Sequence, residues 1–375
     1  MTSRELLGPA DVTDGQLAAM VADLLHEDQV SLRDVRVEPV DYELPAITTA
    51  GRYWVSGHAA TSCGCAPFRI FVKHVQSWSR HPFFAEVPEE YRQMAADSVP
   101  WRTEALLYRS DLADRLPEGL SLPRALGVFD LDELSAAVWL EEVPAREATW
   151  DVGRYRRAAY LLGRLAASPR VAPLAGVGQM DWNLGVYAGG RVAVQVAPLL
   201  MADEPWRHPL AAAFDDDLRE RLRATARRSL DLAAEADALP YVTSHGDACP
   251  NNLLAGDDPD DLVLIDFGFW MPTPVGFDLS QLLLGEVQLG RRPASTLAEI
   301  DQVIVSAYVE GLRAEGCQID ESVVWRSHAL CMLLMSGLSA LPFDMFDAPL
   351  TDAVRRIAAD RAEIARYCLD LLESV

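Results

Sequence analysis

Lysine is almost absent from this chain. Of its 33 basic residues in 375, all but Lys73 are arginine. Basic residues are also outnumbered: 56 Asp and Glu leave a net charge of −23. Binding to a phosphate backbone needs a basic face. None stands out, which excludes nucleic acid as a partner. Long apolar runs are missing as well. The longest, ALCMLLMSGLSAL at 329–341, falls short of the roughly 20 residues a bilayer helix needs and carries a Ser-Gly break. The first residues, MTSRELLGPADVTDGQ, show no basic segment followed by an apolar one. No membrane association is therefore expected, and a cytoplasmic location is. The six cysteines (63, 65, 249, 317, 331 and 368) are too scattered for a disulfide framework. Cys63-Gly-Cys65, with His58 and His74 nearby, lacks the second close pair of a metal site, and a turn between strands accounts for it. Internal repeats and low-complexity tracts are absent.

What is present describes a globular protein. Half the residues are hydrophobic and 24% are charged, enough for a substantial core and for one large two-lobed unit. Residues 14–28 have helical spacing (Leu17, Met20, Val21, Leu24, Leu25). From about 35 the pattern becomes strand-like: VRVEPV, RYWVSGHA and FRIFVKHV, then LPRALGVFD and AAVWLEEV after the turn-rich and helical stretch 77–116. Beyond Pro144 it becomes mainly helical, as in VGRYRRAAYLLGRLAAS and FDDDLRERLRATARRSLDLAAEADAL.

Residues 243–268, TSHGDACPNNLLAGDDPDDLVLIDFG, form an island of strand within the helical half. AGDDPDD is dense in turn residues, with strand-like NNLL before it and LVLID after it. A hairpin turning about residue 259 sets 252 opposite 266, and cross-strand neighbours lie ~5 Å apart. Asn252 and Asp266 then offer an amide oxygen and a carboxylate to one point, the hard donor set that Mg2+ takes alongside phosphates and water. Asp247, five residues earlier, reaches the same neighbourhood and can accept a proton from a nucleophile. Each residue alone more often caps a turn than performs chemistry, so the inference rests on the combination.

His245-Gly246-Asp247-Ala248-Cys249-Pro250-Asn251-Asn252 followed by Ile265-Asp266-Phe267-Gly268 resembles the H-G-D-x-x-P-x-N and I-D-x-G motifs of aminoglycoside phosphotransferase-like kinases. The resemblance implies an α+β, bilobal protein-kinase-like fold with an antiparallel-sheet N-lobe and a mainly helical C-lobe. The implied division is an N-lobe over 1–140 with a leading helix and a five-stranded sheet, a hinge over 141–148, and a C-lobe over 149–375. It also implies Asp247 as the catalytic base or hydroxyl-orienting residue, Asn252 and Asp266 as magnesium ligands, and ATP as donor with GTP as an alternative. Gly246 in place of Arg, and no A-P-E-like element after Gly268, separate the chain from ordinary protein kinases.

Lys73 lies on the third strand-like run, where the family places the lysine that positions the α- and β-phosphates. Glu104 in WRTEALLYRS resembles the family's R-x-E-A-x-x-L segment and is expected on the polar side of its helix, with Glu89 and Glu90 as competing partners of Lys73. No G-x-G-x-x-G occurs; the candidate substitute is the turn 47–52, with Thr48 and Thr49 toward the phosphates, and an ordinary hairpin turn is the equal alternative. VWLEEV at 138–143 resembles the hinge, the backbone of Glu141 and Val143 meeting the adenine edge. Asp278, in PVGFDL, resembles the residue that braces the catalytic loop. The acceptor the resemblance implies is a hydroxyl on a small molecule. Acidity, including FDDDLRE at 214–220, favours a cationic antibiotic (an aminoglycoside or a peptide), in a resistance or self-protection enzyme. Trp182, Trp206 and Trp270 instead suit a sugar or amino alcohol such as choline, homoserine or an aminosugar. The stretch 180–200 is the expected place for acceptor contacts. A non-catalytic nucleotide-binding scaffold is the rival class; it would normally lack Lys73, Asp247 or Asp266, and all three are present. Nothing in the sequence indicates an oligomeric state.

Overall fold

Thr13 opens the first helix with a capping box: its hydroxyl accepts from the Gln16 amide, and Gln16 Oε1 accepts from the Thr13 amide at 2.9 Å. The computed structural model describes residues 3–40, 46–97, 99–144, 148–178, 182–258 and 260–375. The helix, α1 (Asp14–Leu24), is followed by β1 (Ser31–Pro39), β2 (Thr49–Thr61) and β3 (Gly64–Gln76). After a run of short helical turns comes α2 (Thr103–Tyr108), then β4 (Ala125–Asp132) and β5 (Ser135–Glu141). The five strands form one antiparallel sheet in the order β1-β2-β3-β5-β4.

Alternation along β3 divides its residues between two cores. Phe68, Ile70 and Val72 join Leu17, Met20 and Val21 of α1 on the outer face, with Val55 and Trp139. On the other face Phe71 and Val75 pack with Val138 and Leu140 into the main core. Lys73 lies between those two positions on the same face, 5% exposed.

The helical part begins with α3 (Val152–Ala167), capped by Asp151, whose carboxylate accepts from the Arg154 amide at 2.8 Å. A longer helical stretch, α4 (Leu184–Met201), includes a nine-residue π segment, Ala188–Val196. Leu184, Ala188, Val192, Val196 and Leu200 are buried, one every fourth residue. An α-helix would rotate such a stripe around its axis, and π widening keeps it on one face. By length and composition alone this helix, not 329–341, is the one among the described residues that is apolar enough to cross a membrane.

The segment expected as one long helix at 214–239 is two: α5 (Asp216–Ala226), capped by Asp215, and α6 (Ser229–Asp237). Next come β6 (Tyr241–Ser244), β7 (Leu253–Ala255), β8 (Leu262–Leu264) and β9 (Met271–Pro274). β6 pairs antiparallel with β9, and β7 with β8. Four helices close the chain: α7 (Phe277–Gln288), α8 (Leu297–Ala314), α9 (Glu321–Met332) and α10 (Asp352–Ser374). The α+β, two-part arrangement is the one expected. Of the stretch 141–148, residues 145–147 lie outside the described residues, as does Pro259, the expected centre of the hairpin turn.

Candidate active site

The register of the β7–β8 hairpin sets Leu253 opposite Leu264 and Ala255 opposite Leu262. The Gly256 amide donates to the Asp261 carbonyl at 3.0 Å, so the tip is centred between 258 and 259. Asn252 therefore faces Ile265, whose amide donates to its carbonyl at 3.1 Å, and the expected pairing of 252 with 266 is one residue out. A one-residue slip would normally turn Asp266 to the opposite face. It is re-aimed because its backbone is left-handed, φ 63°, a conformation Asp tolerates better than most residues. Its Oδ1 lies 2.8 Å from Lys73 Nζ.

Glu104 Oε2 is 2.6 Å from the same ammonium. Glu104 is not on the polar side of α2. Five of the six residues of that helix are buried, Glu104 among them, and Leu106 is the one left half-exposed. Lys73 makes this burial tolerable, since a carboxylate enters a core only when paired. Glu89 and Glu90 are exposed on the short turns before α2.

Asp278 of α7 holds the loop after β6 by its backbone. Its Oδ2 accepts from the His245 amide at 2.9 Å and its Oδ1 from the Gly246 amide at 2.8 Å. Gly246 has φ +83° and lies against the Phe269 carbonyl, 1.9 Å from where a Cβ would sit, so only glycine fits. His245 is a structural imidazole. Burial pushes its pKa down to about 4, so the ring stays neutral, with Nε2 donating to the Ile265 carbonyl at 3.0 Å and Nδ1 accepting from the Asp247 amide at 3.3 Å. The His245 ring packs on Phe267, which meets Tyr108 edge to face.

Asp247 is half-buried at the end of this turn. Asn252 Nδ2 donates to its Oδ2 at 3.0 Å and to its carbonyl at 2.9 Å. Burial raises the Asp247 pKa above the ordinary carboxylate value, and the charge of Asp266 raises it further, against the bonds from Cys249 and Asn252. Burial also acts upward on Asp266, but Lys73 and then Arg52 outweigh it and hold that carboxyl low.

The donor set fits a hard divalent cation. With its amide nitrogen committed to Asp247, Asn252 presents an amide oxygen that accepts one bond, from Asn251 Nδ2 at 3.2 Å, and keeps a second lone pair, and Asp266 is a firmly ionised carboxylate. Lys73 and Arg52 are two cations among three carboxylates, Glu104, Asp247 and Asp266, so the cleft favours added positive charge.

The remaining expected contacts are placed less favourably. Thr49 pairs with Val75 and its amide donates to the Ala46 carbonyl; the Thr48 carbonyl accepts from the Gln76 amide at 2.9 Å. The Glu141 amide donates to the Arg124 carbonyl at 3.0 Å, and its carboxylate accepts from the Arg124 amide at 2.9 Å. Val143 follows the end of β5. Trp270 is buried, with Nε1 donating to the Leu174 carbonyl, and Trp206 donates to the Leu200 carbonyl. Trp182 packs edge-on to Phe277. These contacts place all three in the packing of the fold.

Other residues in the cleft were overlooked in the sequence. Arg52 sits opposite Lys73; its charge helps hold the Asp266 pKa low and acts downward on Glu104, where burial prevails. Phe71, two residues before Lys73, shares its face of the sheet and meets Trp54 edge to face at 5.2 Å, with the Arg69 guanidinium 3.9 Å over the Trp54 ring. Period-2 alternation from Lys73, and a β2–β3 turn at Ser62-Cys63, were the available signals.

Residues 80–313, more than half of the chain, match a family model described as the phosphotransferase enzyme family. Among solved structures, the GDP and kanamycin complex of APH(2'')-IIia is 14% identical with TM-score 0.50, covering 95% of this chain and 96% of that one. A Plasmodium vivax ethanolamine kinase is 13% identical with TM-score 0.49, covering 91% and 84%. Amicoumacin kinase hAmiN, in complex with AMP-PNP, Ca2+ and Ami, is 14% identical with TM-score 0.47, covering 99% and 96%. At 14% identity the likeness to the kanamycin complex is one of fold. No curated protein matches the chain.

Proposed function

The chain belongs to the phosphotransferase enzyme family, and from that premise we propose that it transfers the γ-phosphoryl group of ATP, or alternatively GTP, to a hydroxyl of a small molecule. The observation that carries this reading is the convergence of five side chains from distant parts of the chain. Lys73 joins Glu104 and Asp266, and Asp247 joins Asn252. Lys73, held by Glu104, positions the α- and β-phosphates, with Arg52 as a second cation beside it. Asn252 and Asp266 hold Mg2+. Bound there, the ion supplies charge neutralisation to the phosphate oxygens. Asp247 orients the acceptor hydroxyl. The acceptor oxygen forms a bond to the γ-phosphorus as the bond to the β–γ bridging oxygen breaks, and the hydroxyl proton passes to the Asp247 carboxylate. Most of the rate comes from positioning and fixed charge.

We assign 1–140 as N-lobe, 141–148 as hinge and 149–375 as C-lobe, with the base beneath Phe71 and against the Glu141 carbonyl and Val143. A cationic antibiotic is the acceptor class favoured by the net charge of −23. A sugar or amino alcohol is the alternative, and a cytoplasmic location suits either. A non-catalytic scaffold is disfavoured because Lys73, Asp247 and Asp266 are all present and the first and last are paired.

Asp247→Ala tests the assignment directly. Turnover, followed by ADP release, should fall to background while Mg·ATP binding by calorimetry stays close to wild type. Normal turnover in that variant would remove Asp247 from the reaction.

A further inference from the structure

Cys249 is the polar side chain beside Asp247 to which the proposed reaction gives no part. Its Sγ lies 3.5 Å from Asp247 Oδ1 and 3.6 Å from the Asp247 carbonyl. Asn252 Nδ2 bonds Oδ2 of the same carboxylate at 3.0 Å, so each carboxylate oxygen has its own donor. The cysteine is also seated from behind. A Cβ on Gly285 of α7 would stand 2.9 Å from Cys249 Cβ and 3.2 Å from Pro250 Cδ, so the loop presses against a helix with no side chain at that point. The same helix holds the loop at His245 and Gly246 through Asp278. The backbone and Cβ of Cys249 are thus held against α7, with the sulfur on the side of the carboxylate. Burial pushes the thiol pKa up, so the sulfur keeps its proton and is a donor, not a nucleophile.

We propose that Cys249 is a positioning residue: its S–H donates to Oδ1 of Asp247 and, with Asn252 on Oδ2, fixes the carboxylate in the plane that meets the acceptor hydroxyl. The proposal rests on the reading of Asp247 as the group that orients that hydroxyl and takes its proton. A carboxylate held at one oxygen only samples other rotations, and fewer encounters are productive. Losing one modest hydrogen bond predicts a loss of about threefold to tenfold in turnover, with ground-state nucleotide binding little changed.

Two measurements on the full chain separate this proposal from the reading beneath it. The first is infrared spectroscopy of the S–H stretch, with Cys249 isolated as the wild-type minus Cys249→Ala difference. The band should lie at the frequency of a thiol bonded to a carboxylate and should move toward the free-thiol position in Asp247→Asn. A free-thiol band in the wild type, or one indifferent to Asp247→Asn, overturns the proposal whether or not the protein is a phosphotransferase. The second is Mg·ATP turnover with water as acceptor. Cys249→Ala should lower kcat with the nucleotide KM within about twofold of wild type, and Cys249→Ser, which keeps a donor, should recover most of the loss. Unchanged kcat in Cys249→Ala, or a loss that serine does not rescue, also overturns it. Should Asp247→Ala turn over normally, the reading of the reaction fails, and the infrared band still decides the hydrogen bond.

Discussion

Lys73 is shared by two carboxylates, and the three groups do not respond alike. Burial pulls the ammonium pKa down, but Asp266 and Glu104 more than restore it, so the lysine stays charged. Glu104 is held above its ordinary value because burial outweighs Lys73, whereas Asp266 is held below because Lys73 and Arg52 outweigh burial. Asp266 is thus the firmly ionised partner and Glu104 the one whose charge depends on Lys73. Removing the cation strands a buried carboxylate, a loss of about 3 kcal/mol or more. Lys73→Ala should therefore be destabilised by that amount at neutral pH in urea denaturation. Lys73→Ala combined with Glu104→Gln should recover most of the stability but none of the Mg·ATP turnover. Equal stability of the single and double variants would mean the pair does not hold the helix. The lone lysine of an arginine-rich chain stood out in the sequence, and the structure places it between two carboxylates. The motif around Glu104 put it ahead of Glu89 and Glu90 as the partner, and the structure pairs it with Lys73; its burial was not legible, because that depends on which side of a six-residue helix faces the core.

At the scale of the element, α7 acts as a backing for the loop 245–252. Asp278 in its first turn accepts two loop amides, and Gly285, two turns further on, seats Cys249. Full burial raises the Asp278 pKa from the ordinary 3.8 to about 6, against the two amide bonds that lower it. The carboxyl binds its proton more tightly in the folded chain than in the unfolded one. Its contribution to stability is therefore fully present below about pH 4 and lost as pH rises through about 6. At neutral pH the charge is a net cost, kept for the loop geometry. Between pH 7 and pH 4 the wild type should gain about 2–3 kcal/mol relative to Asp278→Asn, which does not titrate. Urea midpoints at several pH values would show it, and a difference that stayed flat would show that the carboxyl is not buried as described. The strands of the sheet and the hairpin were legible because alternation and turn residues are local. The hairpin register was not. Its tip is centred half a residue from the expected position, and a left-handed Asp266, invisible to pattern, undoes the change of face that the slip entails.

The whole molecule brings together residues 73, 104, 247, 252 and 266, and one pair, Lys73 and Asp266, is separated by 193 positions. No local periodicity encodes such a meeting; the resemblance of the motifs anticipated it, and the packing of α2 between the sheet and the turn at Phe267 realises it. The same long view bears on the acceptor. Many arginines are already engaged by acids, as in Arg115–Asp111, Arg223–Asp203 and Arg326–Glu235, so the excess of acidic residues sets the sign of the outer field. Such a field draws a polycation toward the cleft and opposes an anionic nucleotide, and salt screens both effects over a Debye length of about 8 Å at physiological ionic strength. The two substrates should therefore respond to salt with opposite signs. Between about 0.05 and 0.5 M NaCl the KM of a polycationic acceptor such as an aminoglycoside should rise several-fold, while the KM of Mg·ATP stays level or falls. A small neutral sugar acceptor should show no such rise. An acceptor found by screening whose KM is indifferent to salt would reject the cationic class and leave the sugar or amino-alcohol reading in its place.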